Sequence, residues 1–149
     1  MVLFGKRGTS AFQNIIFFWN PLKNRRENQK NLKYFEKNRF KLARFKKKSK
    51  FIGLKSKNEI ICSGWIYFGN KWKIEEIDKK IKLNNQYLLY DFMTEKKFGN
   101  MSYYKLLLKI IQNKFQKRKL IIYSLSHNNK SISAIEKSGF KFIKKLKKY

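Results

Sequence analysis

The chain has 149 residues, enough for one domain with its own core, and its 42% hydrophobic content excludes a disordered basic tail. It carries 37 Lys and Arg against 9 Asp and Glu, a formal net charge of +28 that attracts polyanions. With one cysteine (Cys62) and one histidine (His127), it has no intrachain disulfide, and no metal site is predicted because zinc usually takes several such ligands.

The first third of the chain gives the weakest structural signal. We expect a loose start over residues 1–30 with one short apolar element, Ile15–Trp19, which is too short to span a membrane. We expect it to be a core segment, with peripheral membrane contact as the alternative, since Lys23, Arg25 and Arg26 follow its aromatic residues. The lone cysteine fits a reducing compartment, and we expect a cytoplasmic location. Residues 31–47 predict a helix, because apolar side chains recur at three- and four-residue steps between basic ones.

A β-hairpin is predicted over residues 51–68. Two apolar runs, 51–54 and 59–68, flank the polar segment 55–58, which is the pattern of two strands joined by a turn. Gly64 lies inside the second run and indicates a bulge.

Residues 69–85 read as a connection between the hairpin and the next strand. Ile74, Ile77 and Ile81 follow one another at three- and four-residue steps, which predicts a short helix within this connection.

The rest of the chain alternates strands and helices. Strand–helix–strand units imply parallel pairing with a right-handed crossover, and a hairpin before them implies a mixed sheet. We therefore predict an α/β fold with a mixed central sheet flanked by helices, in a single domain spanning residues 1–149. The predicted strands are 87–94, 120–125 and 140–143, and the predicted helices are 103–116 and a short one ending near Lys137.

The turn before the helix at 103–116 is a candidate anion site. Ser102 is the predicted N-cap, and a helix N-terminus presents unpaired N–H groups and a partial positive charge to phosphates. Gly99 is the one glycine in this turn, which alone is a weak motif.

A more specific pattern follows the strand at 120–125. Asn128, Ser131, Lys137, Gly139 and Phe140 have the spacing N-x-x-S-x-x-x-x-x-K-x-G-F, which resembles the C-terminal motif of the GNAT superfamily of acetyltransferases. In the residues themselves, Ser131 is suited to cap a helix and Gly139 to adopt a left-handed turn. The resemblance implies a GNAT-like core over residues 50–149, preceded by a poorly assigned part at 1–49, and Asn128 facing the pantetheine of acetyl-CoA.

The segment from Thr94 to Tyr104 is similar to the pyrophosphate loop of the same family, with departures. Gly99 stands where arginine is usual, and Asn100 and Ser102 stand where two glycines are usual. Asparagine tolerates a left-handed position, and nearby lysines could supply the missing charge. The resemblance implies acetyl-CoA as cosubstrate, with this set of contacting residues: Phe92, Met93, Thr94, Lys97, Gly99, Asn100, Met101, Ser102, Tyr103, Tyr104, Asn128 and Ser131.

The family implies direct transfer of an acetyl group to an amine or hydroxyl of a small acceptor. Many members use a tyrosine two residues before the motif lysine to protonate the leaving thiolate, but this chain has Ile135 there. Tyr123 and Tyr104 are the candidate substitutes. Asp91, His127 and Glu59 are candidate bases, against the plainer alternatives of an ion pair with lysine, an incidental loop position and a solvated strand end.

The net charge leaves a second function open. A non-catalytic GNAT-like protein could bind RNA, a ribosomal particle or another polyanion through its basic surface, with aromatic side chains stacking on bases. For the acyltransferase, the +28 charge disfavours polyamine and aminoglycoside acceptors and favours a sugar-like or anionic one. Oligomeric state is not predicted.

Overall fold

The computed structural model describes residues 1–7, 16–19, 48–56, 59–99 and 102–148. The helix predicted at 31–47 lies outside these residues. Of residues 6, 7, 16–19, 56 and 59, only the backbone is described.

A mixed seven-stranded sheet organises the fold, as the sequence predicts. The strands are β1 (Val2–Arg7), β2 (Ile16–Trp19), β3 (Ser49–Ser56), β4 (Glu59–Tyr67), β5 (Lys71–Ile74), β6 (Lys79–Lys82), β7 (Gln86–Thr94), β8 (Lys119–Ser124) and β9 (Lys141–Lys145); the described helices are α1 (Tyr103–Lys114) and α2 (Asn129–Lys137). The sheet order is β2-β3-β4-β7-β8-β1-β9, and β5 and β6 form a separate two-stranded sheet. Within the large sheet, β7 and β8 pair in parallel and the other neighbours are antiparallel.

The first strand lies in the interior of this sheet. β1 pairs antiparallel with β8 on one side and β9 on the other, so the loose start expected at residues 1–30 is wrong for Val2–Arg7. At Gly5 an added Cβ would approach Ile143 Cδ1 to 3.0 Å, so the strands are tightly packed there. The pairing partners lie more than a hundred residues away along the chain, and local periodicity carries no information about them.

Successive side chains along the central strands point to opposite faces of the sheet and form two apolar layers. Leu89 and Ile122 point to the face covered by α1, where they pack with Leu107 and Ile111. Their strand neighbours point to the other face, where Leu88 joins Ile121, Leu83 and Leu3. Each fully buried side chain of this size contributes about 1.5–3 kcal/mol to stability, so both layers hold the central strands in place.

The connection at 69–85 is a strand pair rather than the predicted helix. Lys71–Ile74 and Lys79–Lys82 pair antiparallel around a 3-10 turn at Glu75–Ile77, and Asp78 adopts the left-handed φ of 47° that closes the turn. Ile74 is fully buried against Met1 and Leu146, on the face opposite the helices. The three- and four-residue spacing comes from a turn inserted between two short strands, which periodicity alone does not distinguish from a helix.

The predicted hairpin is confirmed, with different bounds. β3 and β4 pair up to Ser56 and Glu59, so the strands extend into the segment 55–58 that was expected to be a turn. The strand expected at 87–94 is also present, but burial on both faces holds only for Leu88–Tyr90, and Asp91 is exposed.

The two described helices are short. They have 12 and 9 residues, and neither could cross a membrane. α1 ends at Lys114 rather than 116, and it is joined to the end of α2 by a hydrogen bond from the buried Gln112 Nε2 to the Ser138 carbonyl, 3.1 Å. Gly139 follows with φ 99°, confirming the left-handed turn predicted there.

We predict that β1 is required for stability. Phe4 is 1% exposed and pairs with Phe142, which is 57% exposed on the edge strand. Phe4→Ala should lower the free energy of unfolding by about 3–5 kcal/mol, because it leaves a cavity in the core. Phe142→Ala is the matched control and should change it by less than about 1 kcal/mol. Urea denaturation measures both, and equal losses would contradict a central position for β1.

Candidate functional site

The sheet opens between β7 and β8. Their parallel pairing runs from Gln86 and Lys119 to Leu89 and Ile122, and β7 continues past it to Thr94. A gap therefore forms at the carboxyl ends of two adjacent parallel strands, the place where open α/β sheets bind ligands.

A bulge in β7 produces this divergence. On β4, Ser63 pairs with Met93 and Trp65 with Tyr90, so β7 has one residue more than β4 over this stretch. The extra residue is accommodated by Asp91, whose φ of 51° lies in the left-handed region that non-glycine residues seldom adopt. Such backbone strain is concentrated at functional sites.

Gly64 makes room for this bulge, which lies on β7 opposite Gly64 rather than on the glycine's own strand as predicted. A Cβ at this position would overlap the ring of Phe92, so the absence of a side chain lets Phe92 lie over the backbone of β4. The Phe92 ring in turn packs against Tyr104 at a centroid distance of 5.5 Å. Gly64 thus sets the position of an aromatic pair at the mouth of the gap.

The N-termini of α1 and α2 face the same gap. Asn128 caps α2, with its Oδ1 accepting a hydrogen bond of 3.2 Å from the Ser131 backbone N–H. The expectation that Ser131 itself is the cap is therefore wrong: its hydroxyl lies 3.3 Å from the Tyr104 hydroxyl instead. Ser102 precedes α1 as predicted, but in a left-handed conformation (φ 57°) and without a side-chain cap bond.

Two clefts meet at the split between the strands. The first has a volume of about 850 Å³ and the second about 790 Å³. Phe92, Tyr104, Asn128 and Ser131 line both clefts, and we call these four residues the junction. A ligand extending from one cleft to the other would pass them.

The second cleft contains most of the predicted cofactor-binding residues. Phe92, Thr94, Gly99, Ser102, Tyr103, Tyr104, Asn128 and Ser131 line it. Met93 and Lys97 do not: Met93 is 38% exposed, and the Lys97 ammonium lies 5.3 Å from the Phe98 ring centroid. Asn100 and Met101 lie outside the described residues.

The cofactor-binding residues predicted from the sequence do not include the lysines of this cleft, although Lys137 was identified as part of the C-terminal motif. Lys105, Lys130 and Lys137 line the second cleft, and the described lining includes no carboxylate. Lys130 and Lys137 follow the seven-residue repeat of one helix face, with Ser133 and Ala134 between them. The spacing of these two lysines is visible in the sequence, but it is not distinctive because lysine is so abundant in this chain.

The first cleft contains two of the three predicted catalytic residues, Asp91 and Tyr123. The Tyr123 hydroxyl accepts a 3.2 Å hydrogen bond from Trp72 Nε1, and Trp72 packs on Tyr90 at a centroid distance of 4.4 Å. The Tyr90 hydroxyl donates to Ser49 Oγ at 2.8 Å. The β5–β6 strand pair thus supplies an aromatic wall opposite the end of β8.

The same cleft concentrates acidic side chains. Glu75, Glu76 and Asp91 line it, three of the nine acidic residues in the chain, together with Lys48 and Lys73. Lys73 is engaged with Glu75 at 3.0 Å and with Asp78 at 2.9 Å. The described lining of the first cleft therefore lacks the strong positive excess of the whole chain.

The remaining candidates lie elsewhere. His127 is exposed in the turn after β8 and lines neither cleft. Glu59 starts β4, and its side chain is outside the described part. Cys62 is buried in the helix-side core, where its sulfur accepts a 3.3 Å hydrogen bond from Thr94 Oγ1.

Burial keeps three weak acids near the gap protonated. It raises the pKa of Tyr104 and that of Tyr123 to about 12, from 10.0, with the hydrogen bonds to Ser131 and Trp72 acting in the opposite direction. It also raises the pKa of Cys62 from 9.0 to about 11. At neutral pH the two tyrosines are therefore hydrogen-bond donors rather than bases.

The sheet order, the split strands and the two helix N-termini belong to a GNAT-like fold. The fold is similar to that of an aminoglycoside N-acetyltransferase, AAC(6')-Iy, solved in complex with CoA, with a TM-score of 0.62 and 13% identity over 90% of this chain and 96% of the other. It is also similar to a GNAT-family acetyltransferase from Colwellia psychrerythraea, with a TM-score of 0.59 and 12% identity over 95% of this chain; the match spans about half (52%) of that protein. At the sequence level, neither a protein-family model nor a curated protein matches.

Alkaline pH should destabilise the protein through Tyr123. Its folded pKa is raised, so the unfolded chain releases this proton first and stability falls as pH rises from about 10 to about 12. The stability advantage of the wild type over Tyr123→Phe should therefore shrink by up to about 1.4 kcal/mol per pH unit in this window. The advantage over Cys62→Ala should shrink already from about pH 9. Urea denaturation between pH 8 and 11.5 measures both stability differences. A difference that does not change with pH would contradict the raised pKa of the substituted residue.

The contact between Gly64 and Phe92 can be tested by a double-mutant cycle. Gly64→Ala should cost about 1–3 kcal/mol of stability, because the new methyl group forces the Phe92 ring to move. In a Phe92→Ala background the same substitution should cost less than half as much, because the ring is gone. Equal costs in the two backgrounds, measured by urea denaturation, would contradict the proposed role of Gly64.

Proposed function

We propose that this protein is an acetyl-CoA-dependent acyltransferase that transfers an acetyl group to a small acceptor. The observation that carries the proposal is the meeting of two clefts at the split between β7 and β8, one lined with lysines and the other with carboxylates and aromatic rings. This arrangement suits a reaction in which two substrates are held end to end.

The residues of the second cleft fit acetyl-CoA. Lys105, Lys130 and Lys137 supply positive charge for its phosphates, next to the N-termini of α1 and α2, whose unpaired N–H groups favour anions. They stand in place of the arginine and glycines that the family loop usually carries. The CoA bound to the AAC(6')-Iy structure supports this assignment.

The junction and the first cleft supply the groups that act on the acceptor. Acetyl-CoA provides an activated acyl group, and β7 beyond Leu89, no longer paired with β8, presents backbone toward the gap. Asp91 is the base we assign, because it lies on the bulge and lines the acceptor side. Tyr123 helps to orient the acceptor through a hydroxyl already fixed by Trp72. His127 has no part in this proposal.

An acceptor with an amino group is better supported than an anionic one. In the described lining of the first cleft, Glu75, Glu76 and Asp91 outnumber Lys48 and Lys73, although Lys73 already pairs with Glu75. This small acidic excess favours an ammonium group, and Trp72 and Tyr90 form an aromatic wall for its carbon skeleton. Local charges at a few ångströms outweigh the screened net charge of the chain. The sugar-like or anionic acceptor expected from the +28 charge stays a prediction.

Acetyl-CoA binding tests the proposal. The wild type should gain thermal stability with acetyl-CoA, by about 2.7 kcal/mol at a hundredfold excess over Kd. Calorimetry should show that Lys130→Gln/Lys137→Gln weakens binding about tenfold, since two charge-assisted phosphate contacts are removed. Lys141→Gln/Lys144→Gln, on the exposed edge strand β9, is the matched control and should bind as the wild type does.

Three results would decide against the proposal. They are no binding by the folded wild type, equal weakening by both lysine pairs, and equally tight binding of a single-stranded RNA oligonucleotide. The last would favour the polyanion-binding alternative, which otherwise stays a prediction. A second experiment compares acceptors. Thiol release from acetyl-CoA should be faster with a diamine than with a nucleotide-linked sugar, and the reverse order would contradict the proposal of an amine acceptor.

A further inference from the structure

The buried position of Ile135 raises the question of which group assists the leaving sulfur. Ile135 is 0% exposed and packs in the helix-side core, so no side chain at that position reaches the gap. One turn earlier on the same helix, the Ser131 hydroxyl contacts the Tyr104 hydroxyl at 3.3 Å. A phenol from α1 thus lies beside the first turn of α2.

Among the four junction residues, Tyr104 has the one phenolic hydroxyl that could assist the leaving sulfur. A ligand with its phosphates in the second cleft and its acyl group in the first must place its thioester at the junction. Of the four junction residues, Phe92 and Asn128 carry no hydroxyl, and an alcohol such as Ser131 is a far weaker acid than a phenol. Tyr123 and Tyr103 each line only one cleft.

The surroundings of Tyr104 hold its hydroxyl in place. The Phe92 ring packs on one side at 5.5 Å, supported by Gly64 beneath it, and Ser131 contacts the hydroxyl from α2. Asn128 fixes the backbone of Ser131 by capping it. The phenol is therefore positioned before a ligand arrives, as a donor to developing charge needs to be.

Resting on the function proposed above, we infer that Tyr104 donates a hydrogen bond to the departing thiolate and keeps its own proton throughout the reaction. The acceptor nitrogen forms a bond to the acyl carbon, the carbon–sulfur bond breaks, and its electron pair stays on sulfur. The proton lost by the acceptor nitrogen goes to water through the base, and the thiolate takes its proton from water on release.

The retained proton follows from acidity. Burial raises the pKa of Tyr104 to about 12, whereas a thiol ionises near 8.5. Full transfer from this phenol to a thiolate would therefore run uphill, while a hydrogen bond to the charged sulfur is favourable. Tyr104 thereby stabilises the negative charge that accumulates as the bond breaks.

The affinity for free CoA at two pH values tests this role without an acceptor. At pH 9.5 a large share of the CoA thiol is ionised and Tyr104→Phe should weaken CoA binding at least about tenfold; at pH 6.5 the thiol is neutral and the change should stay within about twofold. Desulpho-CoA, which lacks the sulfur, should bind both proteins equally at both pH values. Tyr87→Phe is the matched control: its ring packs against Phe68 and Phe115, and it lines neither cleft.

The outcomes separate this inference from the proposed function. Absence of CoA binding to the wild type overturns both. Normal binding with no extra loss for Tyr104→Phe at pH 9.5 overturns the role of Tyr104 and leaves the acyltransferase proposal standing. If Tyr104→Phe does not fold, the wild type alone still tests the role of Tyr104. Its preference for CoA over desulpho-CoA should grow about tenfold from pH 6.5 to 9.5, and an unchanged preference would overturn that role.

Discussion

The bulge that separates β7 from β8 is the constraint on which the site depends. One extra residue opposite Gly64 forces Asp91 into a left-handed conformation and turns the end of β7 away from its parallel neighbour. Side chains of β7, β8, α1 and α2 line the two clefts that meet at this gap. Without the bulge, the two strands would continue to pair, and the two clefts would have no common junction.

The second strand bordering the gap is itself held by a distant segment. β8 lies between β7 and β1, so its position depends on a strand from the opposite end of the sequence. The β5–β6 pair covers the face of the sheet away from the helices and brings Trp72 to Tyr123. The first cleft is thus lined by residues from widely separated parts of the chain, between Met1 and Ser131.

The charge of the protein is distributed unevenly around this gap. In the described lining, the second cleft has three lysines and no carboxylate, whereas the first has three carboxylates and two lysines, although the chain as a whole is strongly basic. Net charge governs long-range attraction and solubility, but recognition occurs within a few ångströms. A basic protein can therefore select a cationic substrate, provided that its few acidic residues lie at the right place.

The sequence by itself determined the elements from residue 49 onward whose periodicity is strong. These are the β3–β4 hairpin, the strand β7, both described helices and the motif from Asn128 to Phe140. Eight of the residues that line the second cleft were also named in advance, because they lie in or next to two segments that resemble family motifs. Only the tertiary structure decided the place of β1, the strand pair at 71–82, and the choice of Tyr104 over Tyr123 at the junction. These depend on contacts between segments far apart along the chain, which local spacing and composition do not encode.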